Sequence, residues 1–216
     1  MQEPVHPQRP EPQKPKPPQP ARYSWAEVWT AVLTKPSVAT FKEILNDPQA
    51  TVRRALIWVY LGALATSGAF MISIISDPEL MGALTSAPEF TGMDVEGALR
   101  GAMLFAVPVA SIFALLIFLG MIGIMHGIAR QFPPKSQAPF REIAYTVGAI
   151  YAPLNIISIF FMLIPVLGVF GLFVTVYQLY LMWLAVRAVY DLDARNATVA
   201  VAVPMIAQFL LALFLV

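Results

Sequence analysis

Three amide side chains, Asn155, Gln178 and Gln208, and one imidazole, His126, stand within stretches that are otherwise almost wholly apolar. An amide in hydrocarbon is costly unless a neighbour bonds to it, so each of the three is either paired or lines a polar path. As pairs they are interhelical polar contacts, each bond worth about 0.6 kcal/mol or somewhat more. As a path they would serve a small transporter or channel. Pairing is the expectation, because no carboxylate or basic residue accompanies them, whereas proton-coupled carriers place ionisable groups at mid-membrane. Tyr151, close to Pro153 and Asn155, is a candidate for the same polar cluster. His126, near one end of a long apolar run, is expected to be an interface residue and not a ligand.

Nothing else in the sequence has the form of a catalytic or cofactor-binding set. There is no cysteine, which removes thiolate catalysis, disulfides and Cys-ligated metals. The other histidine, His6, lies far away in the chain, so the two assemble no zinc-type ligand cluster. HExxH, GxSxG, Walker A and GxGxxG patterns do not occur, nor does a pair of intramembrane aspartates. We therefore expect no catalytic residue, no metal and no cofactor: the protein is not read as an enzyme. The basic residues are spread along membrane edges and gather on no readable face, so nucleic acid is not an expected partner.

Composition decides what must hold these side chains. Hydrophobic residues make up 58% of the 216 and charged residues 12%, with a mean hydropathy of +0.68. Soluble domains run at about 45–50% apolar and about 25% charged. Five stretches reach the roughly 20 apolar residues that cross about 30 Å of hydrocarbon: Ala55–Ser76, Gly101–Ala129, Ile143–Ile164, Val166–Val186 and Ala197–Val216. Pro108, Pro153 and Pro204 fall inside them. A proline breaks a soluble helix, but in a bilayer neighbouring helices and hydroxyls re-satisfy the groups it frees. Pro165 with Gly168 reads instead as the tight turn joining the third and fourth spans. The fold class is all-α, a polytopic integral membrane protein with five transmembrane helices. Close helix packing is expected at Gly62 with Thr66 and at the GxxxG of Gly123 and Gly127.

Charge sets the orientation, since Lys and Arg are retained on the cytosolic side. Every Lys and Arg except Arg100 lies before the first span, in the second connection or in the fourth, which puts them on one side. Arg100 shares its loop with Asp77, Glu79, Glu89, Asp94 and Glu96. The expectation is a cytosolic N-terminus and a C-terminus on the outer or lumenal side.

Residues 1–23 are Pro alternating with Gln, Lys, Arg and Glu, with no apolar run of the kind a signal peptide needs. They read as a disordered Pro-rich cytosolic tail, with a docking peptide for an SH3-like partner as the sharper alternative. Residues 24–50 read as amphipathic juxtamembrane helices. Trp25, Val28, Trp29, Val32 and Leu33 form one apolar stripe, Ser24 and Glu27 a capping box, and Lys35–Pro36 a stop before a second helix with Val38, Phe41, Ile44 and Leu45. Such helices lie in the membrane interface, cap the cytosolic end of the bundle, or do both. In the first case Trp25, Trp29, Lys42, Arg53 and Arg54 are interfacial anchors, the basic ones facing anionic headgroups. Residues 51–216 form the transmembrane domain.

The stretch PFREIAYTVGAIYAPLNIISIFFMLIPVLG, followed by VYQLYLMWLAVRAVYDLDARNATVAVAVP, resembles the Yip (Ypt-interacting-protein) family of multi-span membrane proteins. The positions that carry the likeness are Tyr151, Pro153, Pro165, Gly168, Arg187, Ala197 and Pro204, with FKEILNDP similar to the family's preamble. The likeness covers about residues 25–216. It implies a five-span bundle with a cytosolic N-terminus and, in eukaryotes, an association with Rab-type GTPases and vesicle traffic. It supplies no catalytic residues. This N-terminal region is short and Pro-rich where eukaryotic members carry longer ones, which is similar to a prokaryotic-type member and implies a bacterial inner membrane without a Rab.

Together these readings predict a non-enzymatic membrane scaffold or membrane-organising protein that recruits partners at its cytosolic face. An accessory subunit of a larger membrane complex and a small transporter or channel are the alternatives. The expected partners are the lipid bilayer and other membrane proteins or a cytosolic partner at the N-terminal region, with a homo- or hetero-oligomer left open.

Overall fold

The computed structural model describes residues 22–133, 138–164 and 169–215, with side chains up to 210. The Pro-rich tail up to residue 21 and the expected Pro165–Gly168 turn lie outside the described residues. Among the described residues every regular element is helical. Two short helices, α1 (Trp25–Thr34) and α2 (Val38–Leu45), precede the first long one, α3 (Val52–Ile75). A short helix α4 (Pro78–Ser86) and a 3-10 turn (Pro88–Phe90) lead to α5 (Val95–Ala129), followed by α6 (Phe140–Leu163), α7 (Phe170–Tyr190) and α8 (Ala194–Leu215). By length and composition α3, α5, α6 and α7 can each cross a bilayer, and α8 is the fifth apolar helix. The chain is a polytopic integral membrane protein.

Local signals explain the boundaries. Ser24 caps α1: its Oγ accepts the Glu27 N–H at 3.3 Å while the Ser24 N–H donates to Glu27 Oε2 at 2.7 Å. That backbone N–H holds the Glu27 carboxyl below the usual carboxylate range. A depressed native pKa contributes stability that is full above the unfolded value and lost as pH falls through the native one. Thermal melts in detergent should therefore show the wild type losing stability from pH 7 to pH 4 by more than Glu27→Gln, which has no charge to lose. α1 ends where sequence predicts, at Lys35–Pro36, because the ring of Pro36 disfavours helical backbone before it. α5 starts at Val95, ahead of the expected Gly101, because Asp94 caps it by accepting the Gly97 N–H at 2.9 Å. The loop helix α4 was not foreseen; Asp77 caps it, accepting the N–H groups of Glu79 and Leu80 at 2.9 and 3.0 Å. Pro108, Pro153 and Pro204 all sit within continuous helices.

α3 packs on α6, α6 on α7, α7 on α8, α8 on α5 and α5 on α3, so the five long helices close into a ring. The tightest seam is α3 against α6. A Cβ added at Gly148 would lie 2.9 Å from Ala55 Cβ, and one at Gly62 3.3 Å from the Ala152 backbone. Thr66 Oγ1 donates to the Gly62 carbonyl at 3.0 Å and to the Asn155 carbonyl at 3.3 Å. Of the two expected small-residue contacts, the one at Gly62 and Thr66 is thus used. The one at Gly123 and Gly127 is not, since a Cβ at either position meets nothing within 4 Å.

The core lies toward one end of the ring, the end where α3 and α6 begin and α5 and α7 finish. It is built from Trp58, Phe118, Met125, Tyr145, Ile150, Leu181 and Tyr190 among others. Most of the basic residues lie at this end, here termed the basic end. Toward the other end, side chains such as Leu104, Phe105, Phe160, Leu172 and Phe173 are exposed, as lipid-facing residues of a membrane protein are.

The short helices form a hairpin set into this bundle. Val28 and Val32 of α1 and Phe41 and Ile44 of α2 are buried in the same core as the long helices, so no packing boundary separates residues 24–50 from the rest. Trp25 stacks edge-on against Trp58, near the start of α3. Leu33 and Thr34 share a groove with Pro153, Ile156 and Ile157 of α6, roughly 20–25 Å along that helix at about 1.5 Å per residue. The Leu33 carbonyl accepts from the Tyr177 hydroxyl at 2.6 Å, and Tyr177 is likewise roughly 20 Å from the basic end of α7. α2 returns, so that Lys42 pairs with Asp191 just past the end of α7 and Asp47 reaches Arg54. The pair is thus a hairpin that re-enters the bundle along α6 and α7.

Irregular backbone at that depth survives only where its polar groups are satisfied by protein, and hydroxyls do this at the tip. Thr40 Oγ1 donates to the Lys35 carbonyl at 2.6 Å, and Ser37 Oγ accepts the Thr40 N–H at 3.0 Å. Tyr177→Phe removes the donor to Leu33 and leaves that carbonyl unpaired. We expect a loss of about 1–2 kcal/mol, read as faster amide exchange across residues 33–40 with the five long helices still protected.

Candidate membrane-interface site

The hairpin is held to the bundle by one buried charge pair under an aromatic roof. Arg54 is on the first turn of α3, four residues before Trp58, so both project from the same helical face into the core. Its guanidinium donates to Asp47 Oδ2 at 2.8 Å and to the Tyr23 carbonyl at 2.7 Å. It lies 4.8 Å from the centre of the Trp58 ring, within reach of a cation–π interaction. Arg54 and Asp47 are 7% and 3% exposed, so this pair is desolvated. Asp47 Oδ1 also accepts the Gln49 N–H at 2.9 Å. Tyr23, next to the tail, donates its hydroxyl to Glu43 at 2.7 Å, and that bond to a carboxylate pushes the Tyr23 pKa up.

Trp25, Trp29, Trp58 and Tyr145 form the roof. Trp25 and Trp29 stand 5.9 Å from Trp58 with ring planes at 84° and 67°, and Trp58 is 5.3 Å from Tyr145. The indole N–H groups of Trp29 and Trp58 have no hydrogen-bond acceptor among the described residues. Near-perpendicular indoles turn ring edges toward ring faces, a geometry that N–H···π contacts favour.

The five residues expected to anchor the chain at the interface therefore separate. Arg54 does not face headgroups: its helical phase turns it inward, where it ties α3 to the hairpin. Trp29 is half-buried in the roof and Trp25 is 40% exposed at its rim. Lys42 is exposed and paired with Asp191. Arg53, one residue round the helix from Arg54, is exposed and forms no ion pair among the described residues.

The three amides separate too. Gln178 and Gln208, from α7 and α8, both engage the Tyr151 hydroxyl of α6, and Tyr151 also packs edge-on against Phe118 of α5 at 5.5 Å. Four of the five long helices meet around Tyr151. Asn155 faces the α3 seam instead, its Cβ 3.5 Å from where a Gly62 side chain would begin. His126 is not part of a metal-ligand group; among the described residues no such group of His, Cys, Asp and Glu exists. Its Nδ1 meets the Tyr190 hydroxyl, and its ring packs against Phe140 at 5.6 Å.

Sequence reasoning did not single out Asp47 or Asp191, and it read Tyr145 and Tyr177 only as aromatics suited to interfacial anchoring near span ends. Only Asp47 left a readable trace. It precedes Pro48 and stands a short loop before an arginine whose i+4 neighbour is tryptophan, the pattern of a buried pair at a helix start. Tyr177 and Asp191 are long-range partners of the hairpin, invisible to any local pattern. The hairpin also carries Lys35 to about half the depth of the bundle, exposed and without an ion pair among the described residues.

No curated protein and no solved structure matches the chain. The family model of the Yip1 domain matches residues 30–216, from within α1 to the end of α8. The re-entrant hairpin from Trp29's neighbour onward and all five long helices thus fall inside one domain, and the chain belongs to the Yip1 domain family.

Proposed function

We propose that this Yip-family protein is a non-enzymatic organiser of its membrane, acting as a wedge in one leaflet and recruiting partners through the region that leads into the hairpin. The observation that carries the reading is the hairpin's seat along α6 and α7, secured at the tip by Tyr177 and at the base by Arg54. In the basic half seven helical segments share the cross-section, against five beyond the hairpin tip. Two helices of about 10 Å diameter add roughly 150–200 Å² to that half. The charge distribution supports a cytosolic basic end, and on that orientation the wedge would widen the cytosolic leaflet and bend the membrane toward that side. Lys35 adds to this, because an ammonium at that depth draws water and headgroups inward or snorkels toward them.

On this reading residues 1–23 are the partner-recruiting tail, residues 24–50 the wedge, residues 51–216 the spanning domain, and the host membrane a bacterial inner membrane. The test is the full chain reconstituted in giant vesicles from which narrow tubes are pulled. Enrichment in the tube when the basic end faces outward supports the wedge; equal density in tube and vesicle overturns it. Recruitment is tested by pulldown with residues 1–21 removed, which leaves the hairpin and Arg54 intact. Undiminished partner recovery would remove the tail from the proposal.

A further inference from the structure

α3 and α5 enclose a lateral groove of about 460 Å³ at the basic end, lined by Arg53, Leu56, Ile57, Tyr60, Leu61 and Leu115. We propose that it binds one anionic phospholipid of that leaflet, with the phosphate on Arg53. On α3 the lining residues repeat at helical spacing, which makes a single stripe with a cation at its head and apolar side chains below it. Arg53 is exposed and, unlike its neighbour Arg54, has no carboxylate partner among the described residues. It sits on the first turn of α3, where the positive end of the helix dipole adds to its own charge. No acidic residue lines the groove, so the site's charge complements an anion, and no carboxylate among the described residues pairs with it.

Groove length fits a lipid. Tyr60 lies roughly 10 Å below Arg53 along the helix axis. Helical side chains lean back toward the N-terminus, which brings the Tyr60 hydroxyl up toward the level of the glycerol esters. That hydroxyl has no hydrogen-bond partner among the described residues, whereas those of Tyr23 and Tyr177 do. Leu56, Ile57, Leu61 and Leu115 then line the path of one acyl chain. By contrast, the α7–α8 groove lined by Leu179, Tyr180, Trp183 and Met205 carries no charged residue, and neither does the cleft around Thr66, Phe70 and Met162. The selectivity expected is for negative headgroups over zwitterionic ones, and the wedge proposed above is not needed for it.

Native mass spectrometry of the delipidated full chain in detergent tests this, with phosphatidylglycerol and phosphatidylcholine of matched acyl chains added back separately. Phosphatidylglycerol should be retained about fivefold better, the ratio that corresponds to ~1 kcal/mol for one basic residue at an anionic headgroup. Arg53→Gln should bring that ratio to about one. Leu115→Trp, which fills the groove and leaves the cation, should lower retention of both lipids. Lys42→Gln, which removes an exposed cation outside the groove, should leave the ratio unchanged. Equal retention of the two lipids by the wild type overturns the proposal, as does a ratio that survives Arg53→Gln. A ratio lost equally with Lys42→Gln also overturns it, since that marks diffuse charge attraction and not this site.

Discussion

Gly148→Leu is expected to abolish recovery of monodisperse protein in detergent, while Gly123→Leu leaves it unchanged. The difference lies in what each new side chain meets. At Gly148 even the first carbon arrives 2.9 Å from Ala55 Cβ, closer than real Cβ contacts come, and 3.1 Å from Ala55 Cα, so the obstacle is a short side chain fixed to backbone. α3 and α6 would have to separate along the seam that carries Gly62, Thr66 and Asn155. Overpacking a well-filled core costs about 1–3 kcal/mol and occasionally more, and a leucine set against backbone falls at the upper end. Gly148→Ala is the graded version, expected to lower the melting temperature while still yielding protein. At Gly123 there is open space within 4 Å, and leucine faces lipid. Size-exclusion profiles and thermal melts of the three variants check the order; a Gly148→Leu protein that behaves like wild type would mean that the seam is not closed in the membrane.

Arg54→Ala carries the second large effect. Removing the guanidinium strands the Asp47 carboxylate, whose side chain is wholly inaccessible to solvent, and frees the Tyr23 carbonyl at the same time. Breaking one partner of a buried pair costs about 3–5 kcal/mol because the remaining charge is uncompensated. That is a large part of the 5–15 kcal/mol typical of a folded domain. Asp47→Asn should be milder, since the amide keeps an acceptor for Arg54. The double variant Arg54→Met with Asp47→Leu should recover much of the loss, because two apolar side chains bury no charge. Limited proteolysis separates a local from a global effect. Cleavage within residues 24–50 of Arg54→Ala, with the five long helices resistant, would show that the pair holds the hairpin. Recovery of wild-type melting by Arg54→Ala alone would show that the pair stabilises nothing.

Much of the fold follows from the chain read in one dimension. Whether an apolar run is long enough to cross hydrocarbon depends on residue count against bilayer thickness. The five long helices are accordingly legible, and so are the prolines within three of them. Caps are equally local: Ser24 with Glu27, and the stop at Lys35–Pro36, involve neighbours within one turn. The family likeness rested on short apolar motifs of the second half, and it extends back to residue 30.

Tertiary structure decided which face of a helix each polar group occupies and how far apart in sequence its partner lies. Arg53 and Arg54 are adjacent and chemically identical, yet a rotation of about 100° between them leaves one exposed and turns the other into the core. Gln178 and Gln208 converge because α7 and α8 both pack near Tyr151, whereas Asn155, on the same helix as Tyr151, meets α3. Gly62 packs and Gly123 does not, for lack of any helix opposite. The depth of the α1–α2 hairpin was likewise beyond reach, since an amphipathic stripe fits a membrane surface and a helix groove equally well. The Tyr177 and Asp191 contacts set where the hairpin lies on the bundle, and both arise from residues more than a hundred positions away in the chain.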